Sequence, residues 1–443
     1  MRRDEDAATT SAELRAHNLA RLLRAVHDGG GQFTRAELTR QLSLARGTAT
    51  VLVRDLASRQ LIEELASPAG APEGEQAPRT RGRPTGVPSA HPLGPVALAL
   101  DLRDDSFTLA AFELTGRSTI LDRQERDAES GTEFLADVAG RLAIHRRQFG
   151  DRVVGVGVAV PSPVSAGQMV QPTLPDWQDV DVTGLFGGQP SHGQFSHGQP
   201  SHGQLSHGQP KATQPGVTRS EANGRGPVLA GNDATLAGLA EARRGVLRGV
   251  PVALHLHVAT GIGGVLITGG QPVTGVHGAA GEFGHMPLAG GDEPCRCGSV
   301  GCWELDAGAR GLLRGAGLDE EGDRMLHAEQ VIAAAAADPA AGRALARVAA
   351  ALGKGIGALV NAQDPQAVAL SGLAAEVYQA APGQVRDGYL AALMRFRRAE
   401  PPALLASTLG DLGALTGASE LVFDAFLTPR GLGSWPAPEQ KTA

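Results

Sequence analysis

The chain has 443 residues, 42 % of them hydrophobic and 20 % charged, with a formal net charge of −7. That balance is ordinary for a globular protein of two or three domains and excludes a wholly disordered chain. With no apolar run of about 18 residues no membrane span is expected, and the acidic start Met1–Asp6 lacks the apolar stretch of a signal peptide, which points to the cytoplasm.

Residues 1–66 carry helical periodicity. Leu14, Asn18, Leu22 and Val26 line one stripe of a first helix, with Leu19 and Leu23 beside it. Gly29-Gly30-Gly31 ends that helix. Thr34 followed by Glu37 has the spacing of a capping box and opens a short second helix. A turn at Ser43-Leu44 leads to a third helix from Arg46 to Arg59 with Ala49, Leu52, Val53 and Leu56 inward, and Leu61–Leu65 reads as a strand. Three helices and a strand in this order fit a winged helix-turn-helix. Its third helix would expose Arg46, Thr48, Thr50 and Arg54, side chains suited to phosphates, guanine edges or thymine methyls. Residues 1–95 hold 13 Arg against 11 Asp and Glu, so the head is barely positive, which permits DNA contact without demanding it.

Residues 67–95, rich in Pro, Gly, Ala and Ser, read as wing and linker; Arg81 and Arg83 stand in an Arg-Gly-Arg-Pro run that could enter a minor groove. From 96 to about 430 strands alternate with helices, the α/β pattern. They include Val96–Asp101, Phe107–Leu114, Val153–Val160, Val252–Ala259 and Ala367–Leu370. One break interrupts them. From Gly188 the pentad Gly-Gln-Xaa-Ser-His repeats four times, a period that suits neither helix nor strand, so a disordered insertion is expected at about 188–225.

All 3 cysteines fall in Cys295-Arg-Cys297-Gly-Ser-Val-Gly-Cys302. An odd, tight cluster reads as metal ligands rather than a disulfide framework. Zinc takes four, and His285 lies ten residues upstream. These residues carry a resemblance. Gly281-Glu282-Phe283-Gly284-His285, the cysteine run and Trp303-Glu304 resemble the signature of the ROK (repressor, open reading frame, kinase) family. Gly155–Pro161, Trp177, Asn232-Asp233-Ala234 and Thr260–Gly264 follow in the family's order.

The resemblance implies a two-lobed, actin-like sugar-kinase fold behind an N-terminal winged helix-turn-helix. It implies structural zinc on His285, Cys295, Cys297 and Cys302, and sugar contacts from Asn232, Asp233, Glu282, His285 and Glu304. Asp233 stands where the family's kinases keep their general base. The kinases' glycine-rich phosphate turn is here Asp101-Leu102-Arg103-Asp104-Asp105, without the glycines and with acids that repel phosphate. Ser162 and Thr173 replace the family's usual Gly and Asn near the sugar. The expectation is therefore a non-enzymatic, sugar-responsive transcription regulator of carbohydrate metabolism. Its partners are operator DNA and a monosaccharide inducer, and it forms a homodimer or homotetramer. The alternative is an ATP-dependent sugar kinase with a DNA-binding extension.

Overall fold

Side-chain caps set the first boundaries. The computed structural model describes residues 10–65, 86–126, 130–165, 168–169, 177, 180–187, 218–221, 226–320 and 322–436. Helix α1 (Ser11–Asp28) opens on a capping box between Thr10 and Glu13, and α2 (Arg35–Gln41) on one between Thr34 and Glu37. In each the hydroxyl and the carboxylate satisfy amides that the first turn leaves unpaired. The first of these boxes is legible in Thr10-Ser-Ala-Glu13 and escaped the sequence reading. Helix α3 (Arg46–Ser58) buries Ala49, Leu52, Val53 and Leu56, as its periodicity predicts. Leu14 departs from the expected stripe and is 53 % exposed.

Strand β1 (Ile62–Leu65) pairs antiparallel with β2 (Val87–Ala90), from Ile62 opposite Ala90 to Leu65 opposite Val87. Part of the expected linker is thus the second strand of the wing; Pro88 is tolerated because this two-stranded sheet is all edge. Arg81, Arg83 and the pentad repeats lie outside the described residues.

The first lobe holds β3 (Val96–Leu102), β4 (Ser106–Glu113), β5 (Ser118–Glu125), α4 (Gly131–Phe149), β6 (Val153–Val160), the short pair β7 (Val164–Ser165) and β8 (Gln168–Met169), α5 (Val182–Gly187), β9 (Thr218–Glu221), β10 (Pro227–Asn232) and α6 (Asp233–Arg243). Its main sheet runs β5-β4-β3-β6-β10-β9. β9 pairs antiparallel with β10. The C-terminal part of the insertion expected to be disordered is therefore a strand at the sheet edge.

The second lobe holds β11 (Val252–Val258), β12 (Ile262–Thr268), β13 (Gln271–Pro272), α7 (Glu304–Ala307), α8 (Ala309–Ala316), α9 (Arg324–Ala334), α10 (Pro339–Gln363), β14 (Ala367–Gly372), α11 (Leu373–Ala380), α12 (Pro382–Ala392) and β15 (Ala403–Ala406), with sheet order β13-β12-β11-β14-β15. The chain returns to the first lobe with α13 (Gly413–Phe426) and ends on α14 (Pro429–Gly433). β3 and β6 are buried along their whole length, as parallel strands covered on both faces must be. α10 is apolar and long enough by composition to cross a membrane. However, 61 % of its most apolar window is buried, and it is the central helix of the second lobe's core. Head and first lobe share one core in which Leu22, Leu23, Val26, Leu52 and Leu56 join Phe112, Leu114, Val422 and Phe423.

Candidate functional site

Glycine punctuation folds the segment after β13 into a loop that returns its cysteines to His285. One donor atom from each of His285, Cys295, Cys297 and Cys302 lies within 4.8 Å of the others. Cys297 Sγ and Cys302 Sγ are 3.6 Å apart, as are Cys295 Sγ and His285 Nδ1. Two thiolates on a tetrahedral zinc stand about 3.8 Å apart, so the residues fit a metal ion of that size and preference. His285 turns Nδ1 to the cluster, while Nε2 faces the other way, 3.8 Å from Glu282 Oε2.

The predicted sugar residues come from both lobes and lie near one another, close enough that the charges of Asp233, His285 and Glu304 all act on Glu282. Asn232 caps α6 by accepting the Thr235 amide at 3.0 Å, and its own amide donates to Asp233 Oδ1 at 3.0 Å. The Ala234 amide donates to the same oxygen at 2.6 Å, which leaves Oδ2 for a ligand. Burial pushes the Asp233 carboxyl up to about 6, against the Ala234 amide and Arg103. Burial also raises Glu282; His285 opposes that shift, while the charges of Asp233 and Glu304 add to it. Glu304, at the start of α7, lies 3.6 Å from His285 Nδ1. A β-carbon on Gly261 would come within 2.9 Å of Glu304 Oε2, so the glycine of the β11–β12 turn lets this carboxylate lie close over the backbone. Acceptors from both lobes thus gather in one region, a donor and acceptor set that matches a polyol, whose hydroxyls each donate and accept.

Next to these lie polar residues of the degenerate phosphate turn, together with two histidines that were not singled out from sequence. Asp101, 3 % exposed, receives Arg103 Nε and Nη2 at 3.1 Å, so Arg103 folds back from the β3–β4 turn. Burial raises the Asp101 carboxyl, and Arg103 opposes that rise. On β11, His255 Nδ1 donates to the Ala234 carbonyl at 3.2 Å, which fixes its tautomer. His255 Nε2 then accepts the Ser371 hydroxyl at 2.9 Å, and Ser371 Oγ accepts His257 Nδ1–H at 2.8 Å. Burial holds both rings neutral, His255 down to about 3 and His257, with Arg103 adding to the effect, to about 4. Histidines two residues apart in an otherwise apolar strand were the sequence signal. Ser162 is buried at the end of β6, and Thr173 lies outside the described residues.

Far from this region, α3 presents Arg46, Thr48 and Arg54 to solvent, with Thr50 half-buried. The Thr50 hydroxyl donates to the Arg46 carbonyl at 2.9 Å, so only its methyl is clearly available to a partner. Val51, 50 % exposed beside them, adds an apolar group that the sequence pattern does not mark as outward.

The comparisons with known proteins agree with this anatomy. The ROK family model matches residues 209–425. The kanosamine kinase of Amycolatopsis mediterranei is 30 % identical over 66 % of this chain and 84 % of its own. The chain belongs to the ROK family. Both branches of that family occur among its relatives. The xylose repressor of Bacillus subtilis is 23 % identical over 89 % of this chain and 92 % of its own. The glucokinase of Halalkalibacterium halodurans is 35 % identical, but over 33 % of this chain and 48 % of its own. In fold, the chain superposes on a ROK family transcriptional regulator described as a homolog of the E. coli MLC protein. The TM-score is 0.69 at 20 % identity, covering 95 % of this chain and 99 % of that one. A ROK glucokinase from Streptomyces griseus, solved with glucose and AMPPNP, covers 74 % of this chain at a TM-score of 0.57.

Proposed function

We propose that this ROK protein is a sugar-responsive DNA-binding regulator of carbohydrate metabolism, acting as a repressor that a monosaccharide releases from its operator. The observation that carries the reading is the three-helix head with its paired wing strands, built onto the sugar-kinase fold through one continuous core. In this reading Arg46, Thr48, Thr50, Val51 and Arg54 of α3 meet the major groove, and Arg81 and Arg83 follow the wing into a minor groove. Asn232, Asp233, Glu282, His285 and Glu304 bind the sugar. The metal is zinc on His285, Cys295, Cys297 and Cys302. When bound, it ties the loop carrying Glu282 to the start of α7 and fixes the His285 ring, so that Nε2 is presented to a sugar hydroxyl. A two-fold homodimer or a homotetramer in the cytoplasm would match half-sites of a pseudo-palindromic operator.

The alternative, an ATP-dependent sugar kinase, draws on Asp233, whose carboxyl at about 6 suits a general base near neutral pH, and on the kinase relatives. Against it stands the β3–β4 turn, where Arg103 is committed to Asp101 and where Asp104 and Asp105 stand in place of the kinases' glycines. Binding and turnover separate the two readings. Under the regulator reading the purified protein binds an operator duplex that a saturating sugar releases, and it gives no sugar-dependent ADP. Sustained turnover with a hexose or pentose at about 1 per second or faster overturns it.

A further inference from the structure

We propose that Arg244, Glu420 and His27 form the joint through which occupancy of the Asp233 end of α6 reaches the DNA-reading head; this inference rests on the regulator reading above. α6 starts in the candidate sugar site with Asn232 and Asp233 and spans 11 residues, roughly 16 Å of stiff helix. At its far end two consecutive arginines, Arg243 in the last turn and Arg244 at the C-cap, reach the head, each through a carboxylate on α13. Arg244 Nε donates to Glu420 Oε1 at 2.7 Å, while Glu420 Oε2 lies 3.0 Å from His27 Nε2 on α1. Arg243 Nη2 pairs with Asp424 at 3.3 Å, and Asp424 also pairs with Arg24 of α1. Arg244 further donates to the His27 carbonyl, and Arg248 to that of Asp28, each at 2.7 Å. The last turn of α1 is therefore bonded to the end of α6 that lies farthest from that site.

Three features make this a joint rather than a surface ion pair. His27 is fully buried and Glu420 is 1 % exposed, so loss of the Glu420 carboxylate strips both Arg244 and His27 of their shared partner away from water. The His27 ring also packs on Phe423 of α13 with centroids 4.8 Å apart. α6 and α13 touch backbone to backbone, since a β-carbon on Gly417 would lie 1.9 Å from the Leu236 carbonyl oxygen. A shift of α6 on ligand binding thus moves α13 and α1 with it. These contacts make a contiguous network of packed helices and ion pairs, the kind of path along which energetic coupling between distant sites travels.

The test uses the full chain, an operator duplex selected from a random library, and D-glucose, D-xylose and N-acetyl-D-glucosamine as probes. Glu420→Gln keeps the shape and removes the charge that Arg244 and His27 face; Arg244→Gln removes the cation. Both variants are expected to bind the sugar within twofold of wild type by calorimetry. The ratio of operator Kd with and without saturating sugar should fall at least tenfold, toward unity. A ratio within twofold of wild type in both variants overturns the joint while leaving the regulator reading intact. Wild type that binds none of the probes, or binds one without change in operator affinity, removes reading and joint together. If Glu420→Gln fails to fold by circular dichroism, His27→Gln and Arg244→Lys carry the same comparison.

Discussion

The two lobes are built alike and differ where the difference counts. In each sheet a parallel core is flanked by an antiparallel hairpin, β3–β4 in the first lobe and β11–β12 in the second. Each hairpin turns through three residues, Arg103–Asp105 and Ala259–Gly261. Topology brings both turns to the region where the lobes meet, and side chains decide what each admits. The second turn ends in glycine and makes room for the Glu304 carboxylate. The first carries an arginine that folds onto buried Asp101, followed by two acids. Under the proposed reading the glycine-ended turn belongs to the sugar site, while the turn that carries Arg103, Asp104 and Asp105 disfavours phosphate. Equivalent backbones thus carry different side-chain chemistry on the two sides.

The largest effect should come from the second lobe's side of this contrast. Cys297→Ser, or removal of the metal by a chelator, should abolish metal content by elemental analysis and weaken sugar binding by about 100-fold. That is the upper end of what loss of support around a metal site costs. Operator binding without sugar should survive, because α3 lies in the head. Metal-free protein with full sugar affinity would show that the loop holds Glu282 and Glu304 unaided. The next effect is Asp233→Ala, which removes an acceptor from the first lobe's side of the site and should cost roughly 1.5–3 kcal/mol of sugar affinity, the worth of a hydrogen bond to a charged group. Calorimetry reads this directly, and an unchanged Kd means the sugar is held by the second lobe alone.

How much of this was legible depended on whether local pattern or tertiary placement decided the residue. The cysteine spacing, the Thr34–Glu37 cap and the inward face of α3 are local patterns, and the structure has them as read. Strand β9 was hidden because Thr218–Glu221 is short and polar and lies seven residues beyond a repetitive tract, and its pairing partner in β10 is what makes it a strand. Arg103 was read as a break in a glycine motif. Its bond to Asp101 depends on how the turn folds back, which no residue spacing encodes. Nothing in the sequence around His27 sets it apart. Its importance comes from Leu114, Arg244 and Glu420, which lie 87 to 393 residues away.

The pH dependence of sugar binding sharpens the contrast further. Asp233 titrates near 6 where 3.8 is ordinary. Its ionised form accepts from a sugar hydroxyl, so affinity should be level above about pH 7 and fall toward tenfold per unit below 6, about 1.4 kcal/mol for each unit. The same raised pKa has the opposite sign for folding. Its contribution to stability is fully present below 3.8 and is lost as pH rises through about 6. Affinity and stability should therefore move in opposite directions across this window, as read by calorimetry and by urea unfolding. A sugar affinity that is flat from pH 5 to 7 would exclude the Asp233 carboxylate as an acceptor.

Arg103→Ala gives the smallest expected change and bears most directly on why the lobes differ. The Arg103 side chain is 47 % exposed, so solvent screens its attraction for Asp101, whose side chain is 4 % exposed. The pair should be worth about 1 kcal/mol, well below a fully buried one. Removing the guanidinium lifts the Asp101 carboxyl further above its ordinary value, and the sign of the effect follows from that. At pH 8 the variant must bury an unpaired carboxylate or protonate it against the solution, and it loses stability. Near pH 4 Asp101 takes up its proton at little cost, and variant and wild type should converge. Urea unfolding at the two pH values measures the difference. No sugar-dependent ADP release should accompany it, because Asp104 and Asp105 still charge the turn. A variant that gained such turnover without losing stability at pH 8 would recast Arg103 as a plug in a live phosphate site, and the two lobes would then differ by one side chain rather than by function.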